Sequence, residues 1–413
     1  MSRLLLLLPT RTYRASDFME AAARLGVEVV VGSDRKQALA DVSPGQHLLL
    51  DFLNVQEATR AIVAFAETYP LDAIVSVDDD TIVLGTMASQ ALSLPHNPVA
   101  AVLATRNKHR LRLIVAQAGL LSPPFSLFSI DDDPAVVAQQ VPFPCVVKPL
   151  CLSASRGVMR ANNAEQCVTA FRRLRALLQT PDVASRDREL ARQILVEGFI
   201  PGTEVALEGL LVKGHLMTLA LFDKPDPLDG PFFEETLYVT PSRLPATVQE
   251  AIVACTAKAA QALGLREGPV HAELRVNGQG AWLLEIAARS IGGLCSRTLR
   301  FGTGLSLEEL ILLRAMGADV GVYTRERQAA GVMMLPIPHG GILREVRGQE
   351  AAKGVPGIEE LTITITIGQE VIPLPEGAQY LGFLFARAET PEQVEAALRN
   401  AHQHLTFRIE PRA

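Results

Sequence analysis

Two glutamates stand where a strand–turn–strand pattern sets them face to face. The runs Val270–Val276 and Ala281–Ile286 flank the glycine-rich stretch Asn277–Gly280, which is a hairpin signal. A turn centred on Gln279 puts Glu273 directly opposite Glu285 on one face of the hairpin. Opposed side chains lie roughly 5 Å apart, and like charges so placed repel. A divalent cation offsets that repulsion, because hard Mg²⁺ prefers carboxylate oxygens and is commonly shared with substrate phosphates. The hairpin alone leaves two readings open: metal ligands, or exposed glutamates each paired with Arg275 or another cation.

Further groups that bind anions surround this pair in the chain. Arg289 follows Glu285 by four residues, and Gly292-Gly293 comes soon after. Arginine suits bidentate capture of a carboxylate or phosphate, and paired glycines let backbone N–H groups approach an anion closely. Lys108 falls within an apolar stretch read as one helix over 98–118, and Lys148 ends the strand Cys145–Lys148. After it, Ser153, Ser155 and Gly157 form a small-residue loop able to wrap phosphate with hydroxyls and amides. Taken singly, each lysine reads as a surface residue with its stem laid along apolar neighbours. Ile194–Ile200 is an apolar strand carrying Glu197, and it leads through Pro201-Gly202-Thr203-Glu204 into the strand Val205–Leu211. Such a slot, with Glu197 as acceptor, suits an adenine amino group, and Glu204 suits ribose hydroxyls; an ordinary strand–turn–strand with exposed glutamates is the simpler alternative.

The elements that position these groups follow from hydrophobic patterning. Residues 4–8, 27–31, 47–52 and 73–77 read as apolar strands, with helices over 15–25 and 55–68, so the fold class is α/β with a parallel sheet covered on both faces. No GxGxxG follows the first strand. Asp78-Asp79-Asp80 sits just after the fourth strand, where open α/β sheets place their ligands, and its simpler reading is a solvated loop with a helix N-cap. Helices are expected over 164–179, 246–263 and 391–404, a polar loop over 181–190, and an alternating strand over Leu361–Ile367. The expected units are 1–105, an N-terminal doubly wound domain; 106–193, a linker helix and α+β lid; 194–320, an α+β catalytic domain; and 321–413, a small C-terminal α+β cap.

Bulk properties narrow the function. In 413 residues, 48% are hydrophobic and 20% charged, which fits a globular protein and argues against disorder. The net charge of −6 and the lack of a basic stretch argue against a nucleic-acid partner. The five cysteines, Cys145, Cys151, Cys167, Cys255 and Cys295, are scattered without a CxxC pair, so neither a disulfide framework nor a zinc cluster is expected. The leucine run after Arg3 stops at Pro9, too short for a signal core, and no run is long enough to cross a bilayer. The expected address is the cytoplasm.

In order and together, these features resemble the ATP-grasp superfamily over roughly residues 1–320. Asn107-Lys108-x-x-x-Arg112 resembles the helix bearing the family's first nucleotide lysine, and Val146-Val147-Lys148-Pro149 resembles the second lysine strand. Leu195–Ile200 resembles the adenine hinge, with Glu197, Phe199 and Ile200 implied near the base, and Gly202-x-Glu204 the ribose segment. Glu273 and Glu285-Ile286-x-x-Arg289 are similar to the metal glutamates and the substrate arginine, with Gly292 and Gly293 implied beside the substrate. The implied cofactors are ATP with Mg²⁺ or Mn²⁺. Phe222-Asp223-Lys224-Pro225, Glu234-Glu235 and Ala287-Ala288-Arg289 resemble the L-amino-acid ligase group, which implies Lys224 near the transferred phosphate and Glu235 near a substrate amine. The implied activity is ATP-dependent joining of a small-molecule carboxylate to an amine through an acyl phosphate, with a homodimer as the default assembly. Biotin-carboxylase-like and purine-biosynthesis-type ligases share the frame, and a non-catalytic nucleotide-binding module is a further alternative. Ala287 stands where the family usually has an asparagine metal ligand, and the phosphate loop is serine-rich where many relatives are glycine-rich.

Overall fold

The computed structural model describes residues 2–35, 46–185, 187–318 and 323–412. The expected boundary between 320 and 321, and part of the expected loop 181–190, lie outside them.

The leucine run becomes β1 (Arg3–Leu7), flanked in parallel by β2 (Glu28–Ser33) and β4 (Ala73–Ser76), with β3 (His47–Leu49) beyond β2. Alternate leucines serve opposite faces, as strand geometry requires. Leu4 and Leu6 pack with Phe18, Ala21 and Ala22, while Leu5 and Leu7 pack with Val30, Ile62 and Leu84. That is why every residue of the run can be apolar. The first helix, Ala15–Leu25, ends at Gly26, whose φ of +65° puts it in the left-handed region.

The helix expected over 98–118 is two helices, Val99–Thr105 and Lys108–Gln117. Asn107 is extended, and its side chain accepts from the Arg110 N–H at 3.1 Å, capping the second helix. The capping chemistry of one asparagine outweighs the continuous apolar pattern, and it brings Lys108 to the first helical position. The second unit is an antiparallel sheet in the order β5 (Phe125–Ser129), β8 (Gln193–Gly198), β6 (Cys145–Pro149), β7 (Met159–Ala161), backed by the helix Ala164–Leu178. Within the expected loop 181–190, Pro181–Ala184 forms a short helix.

An eight-stranded sheet forms the centre. Its order is β13 (Gly280–Ala287), β12 (Gly268–Asn277), β9 (Thr203–Val212), β10 (His215–Asp223), β11 (Leu237–Thr240), then Ala329–Leu335, Gly382–Ala388 and Ile358–Ile363. The last three strands come from the C-terminal unit, which therefore continues the central sheet. The alternating strand expected over 361–367 is found as Ile358–Ile363, and the last helix spans Pro391–His404. No helix among the described residues is long and apolar enough to cross a membrane.

Candidate active site

Glu273 and Glu285 are register partners across β12 and β13. The turn is tighter than a centre at Gln279 implies, because Asn277 pairs with Gly280. A bulge between Glu273 and Leu274 then shifts the register by one residue and restores the glutamate pair. The two carboxylates line a cavity of about 900 Å³ bounded by the loop after β1, the loop after β4, the second unit, the central sheet and the segment 364–380.

Both lysines are buried rather than lying along the surface. The Lys108 ammonium donates to the Leu152 carbonyl at 2.8 Å and to Glu285 at 3.3 Å. The Lys148 ammonium lies 2.5 Å from Glu197, whose other oxygen accepts from Arg112 Nε at 2.7 Å. Burial pulls the Lys148 pKa down to about 8, against the raising influence of Glu197. Burial also works against ionised Glu197, yet Arg112 and Lys148 outweigh it and hold the carboxyl below its usual range. Glu197 thus has both oxygens engaged by cations, while Phe199 and Ile200 line the cavity beside it. The guanidinium groups of Arg160 and Arg275 both lie over the Phe199 ring, at 4.0 and 4.8 Å from its centre.

Behind the metal-type pair lies a dense charge cluster. Lys224, nearly fully buried, places its ammonium 3.0 Å from Glu204, 2.5 Å from Glu235 and 3.7 Å from Glu273. Glu204 also accepts from Arg275 Nε at 2.9 Å. Carboxylate oxygens of Glu204, Glu235 and Glu273 lie within 4.8 Å of one another, close enough to share one cation. Burial opposes ionisation of Glu273, but Lys224 and His271 hold its carboxyl well below the usual range. Glu235 is raised by burial despite Lys224. Glu273, kept ionised and register-paired with Glu285, offers hard oxygen donors that suit Mg²⁺.

Arg289 lines the same cavity with Gly292 and Gly293. Its guanidinium donates to Asp79 at 2.8 Å, and Arg106 pairs with the other Asp79 oxygen at 3.1 Å. This corrects the expectation of a solvated loop at Asp79: with 11% of its side chain exposed, it lies between two arginines, which overcome its partial burial and hold its pKa below the usual range. The expected phosphate loop turns through Ala154 and Ser155, both at φ +54°. Ser153 and Ser155 line the cavity. Gly157 does not; its N–H donates to the Pro375 carbonyl at 2.8 Å. Lys224 likewise sits beneath the cavity rather than on its wall.

The remaining expected residues meet at this one cavity. Two contributors have no mark in the sequence: Arg14 of the loop after β1, and the C-terminal stretch Gln369–Tyr380. Arg14 is buried, donating to Ser290 Oγ at 2.8 Å and pairing with Glu308 at 3.2 Å. A lone arginine shortly after a leucine strand has no local pattern to mark it.

Comparison with known proteins agrees with this fold. Family models described as ATP-grasp N-terminal domain, ATP-grasp domain and L-amino acid ligase C-terminal domain 2 match residues 19–96, 141–298 and 333–410. Carnosine synthase 1 of Gallus gallus is 32% identical over 287 residues, which is 66% of this chain and 30% of that protein. Alanine–anticapsin ligase of Bacillus subtilis is 26% identical over 270 residues, covering 62% of this chain and 56% of that protein. The chain therefore spans less than two thirds of the length of these curated relatives. The crystal structure of an L-amino acid ligase from Bacillus licheniformis superposes with a TM-score of 0.84 at 25% identity, covering 99% of both chains. A phosphoribosylglycinamide synthetase structure from Anaerococcus prevotii shares the fold, with a TM-score of 0.69 at 15% identity. The chain belongs to the ATP-grasp superfamily and resembles its L-amino-acid ligase group.

Proposed function

We propose that the protein is an ATP- and Mg²⁺-dependent carboxylate–amine ligase that joins amino-acid substrates into an amide, releasing ADP and phosphate. The observation that carries this reading is the convergence of Lys108, Lys148, Glu273, Glu285 and Arg289 on one cavity. The names of the similar proteins, an alanine–anticapsin ligase and an L-amino acid ligase, support amino acids as substrates.

In the proposed reaction a substrate carboxylate oxygen attacks the ATP γ-phosphorus, and the bond to the ADP oxygen breaks. Lys108 and Lys148 stabilise charge that develops on the phosphates. Glu273 and Glu285 would hold Mg²⁺, which would supply Lewis-acid neutralisation of that charge. An amine then attacks the acyl phosphate, phosphate leaves, and the nitrogen loses a proton. Arg289 and the amides of Gly292 and Gly293 hold the carboxylate and the oxyanion of the tetrahedral intermediate. Arg289 stays aligned through Asp79, and Glu235 faces the amine. Ser153, Ser155, Phe199, Ile200 and Glu204 frame the nucleotide, with the 106–193 unit acting as the lid that excludes water from the acyl phosphate.

The test is phosphate release from ATP and Mg²⁺ across amino acids, singly and in pairs, with bicarbonate as a separate condition. Stimulation by particular pairs, with a product mass equal to the condensed pair, is expected. Stimulation by bicarbonate alone would replace this reading with a carboxylase-type one.

A further inference from the structure

Glu208 is fully buried on β9, and no step of the proposed reaction uses it. It is the register partner of His271 on β12. Its Oε2 accepts from the Ile291 N–H at 3.0 Å and lies 3.2 Å from His271 Nδ1. Its Oε1 has no hydrogen-bond partner among the described residues. The other ring nitrogen of His271 points the opposite way, with Nε2 3.5 Å from Glu273. One carboxylate oxygen thus touches both the side chain behind Glu273 and the backbone immediately before Gly292-Gly293.

The loop beginning at Arg289 is held at three successive residues. Asp79 takes Arg289, Arg14 takes Ser290 Oγ, and Glu208 takes the Ile291 N–H. Of these three, Glu208 alone also contacts His271. A buried carboxylate with an unpartnered oxygen is costly, and an apolar residue in a strand as hydrophobic as β9 would be cheaper. Apolar residues in place of the whole Glu208–His271 pair would be no less stable, although removing one partner alone is costly, so the alignment of two groups is what the pair adds.

We propose that Glu208 is a positioning residue for the ligase reaction: through Oε2 it fixes His271 against Glu273 and fixes Ile291 ahead of the glycine pair. The cation-holding carboxylate and the anion-holding amides then keep one fixed separation. Outer partners of this kind orient metal ligands, and their loss commonly costs about 10–100-fold in metal affinity or activity. The proposal rests on the ligase reading.

The experiment uses the full chain with Glu208→Leu, Glu208→Gln and His271→Phe. Mn²⁺ is titrated in the presence of ADP with thermal stabilisation as the readout, and amino-acid-stimulated phosphate release is measured in parallel. Glu208→Leu should raise the Mn²⁺ midpoint and lower kcat by about 10–100-fold each, leaving the KM for ATP within about threefold. Glu208→Gln should stay within about threefold in every quantity, because its amide oxygen takes the Oε2 place and its NH₂ the unpartnered one. His271→Phe leaves the Ile291 contact and should move the Mn²⁺ midpoint by about tenfold or more; it decides the matter if the leucine variant does not fold. A folded Glu208→Leu protein with unchanged midpoint and kcat overturns the proposal, as does a glutamine variant as impaired as the leucine one. Wild-type protein that binds Mn²⁺ but shows no amino-acid stimulation counts against the ligase reading, while the Mn²⁺ titration still decides the role of Glu208.

Discussion

The floor of the cavity and its lid are both held by pairs of basic and acidic side chains, but the two sets sit in different media. On the floor, Lys224, Glu204 and Arg275 are nearly inaccessible to water, and each touches several partners. At the lid, Arg173 reaches Glu376 of the C-terminal segment with 44% and 39% of the two side chains exposed. Arg156 completes this clasp, donating from Nε to the Glu376 carbonyl at 2.8 Å. Charges in a low dielectric interact strongly and cannot be removed singly without penalty. Exposed pairs contribute little and are screened by salt. The difference assigns rigidity to the floor and easy opening to the clasp.

The sharpest way to break this contrast is Glu273→Ala. Turnover is expected to fall by at least roughly 10³-fold in the phosphate-release assay while the far-ultraviolet spectrum stays unchanged; retained turnover would remove the metal assignment. Next in size is Lys224→Met, which leaves three carboxylates without their shared cation. It should cost about 3–5 kcal/mol in urea unfolding, partly recovered by Mg²⁺. A loss below about 1 kcal/mol would mean the floor behaves like a surface.

Lys148 lies between the two regions, at the end of a lid strand, and offers a pH test. Its pKa is about 8 in the free protein. The ammonium that would meet phosphate is therefore fully present below that pH and is lost as pH rises through it. Because kcat/KM reports the free enzyme, kcat/KM for ATP should fall by about tenfold per unit above that point. Lys148→Arg, which stays charged, should lack this descending limb. The smallest effect belongs to the clasp: Glu376→Gln should change stability by less than about 1 kcal/mol. It should nevertheless raise ATP hydrolysis uncoupled from amide formation, and moderate salt should reproduce that leak in the wild type.

Much of this arrangement was legible in the order of residues, because local rules dictate it. The leucine strand, the helix stop at Gly26 and the hairpin glutamates each follow from neighbours within about a dozen positions. Even there, the register of Glu273 with Glu285 came out through a tight turn plus a bulge rather than a centre at Gln279. Asn107 broke an apparently continuous helix because one capping side chain outweighs an apolar pattern. What stayed hidden depends on distant partners. Asp79 looks like a solvent acid until Arg289 meets it, and Glu208 looks like an interruption in an apolar strand until His271 and Ile291 are beside it. Likewise Glu376 has no signature until the fold brings Arg173 to it.

The continuity of the central sheet bears on how such chains can be cut and recombined. Leu237–Thr240 is bonded along its whole length to Ala330–Met333, strand to strand, with no seam between the nucleotide-facing half and the C-terminal half. A fragment ending before Ala329 would present that row of backbone donors and acceptors to water as a bare edge, inviting association between copies. Chimeras that exchange the C-terminal half between relatives inherit the same constraint. A working crossover must carry the matching edge strand with it, so the cavity-lining stretch Gln369–Tyr380 travels only with the register that seats it.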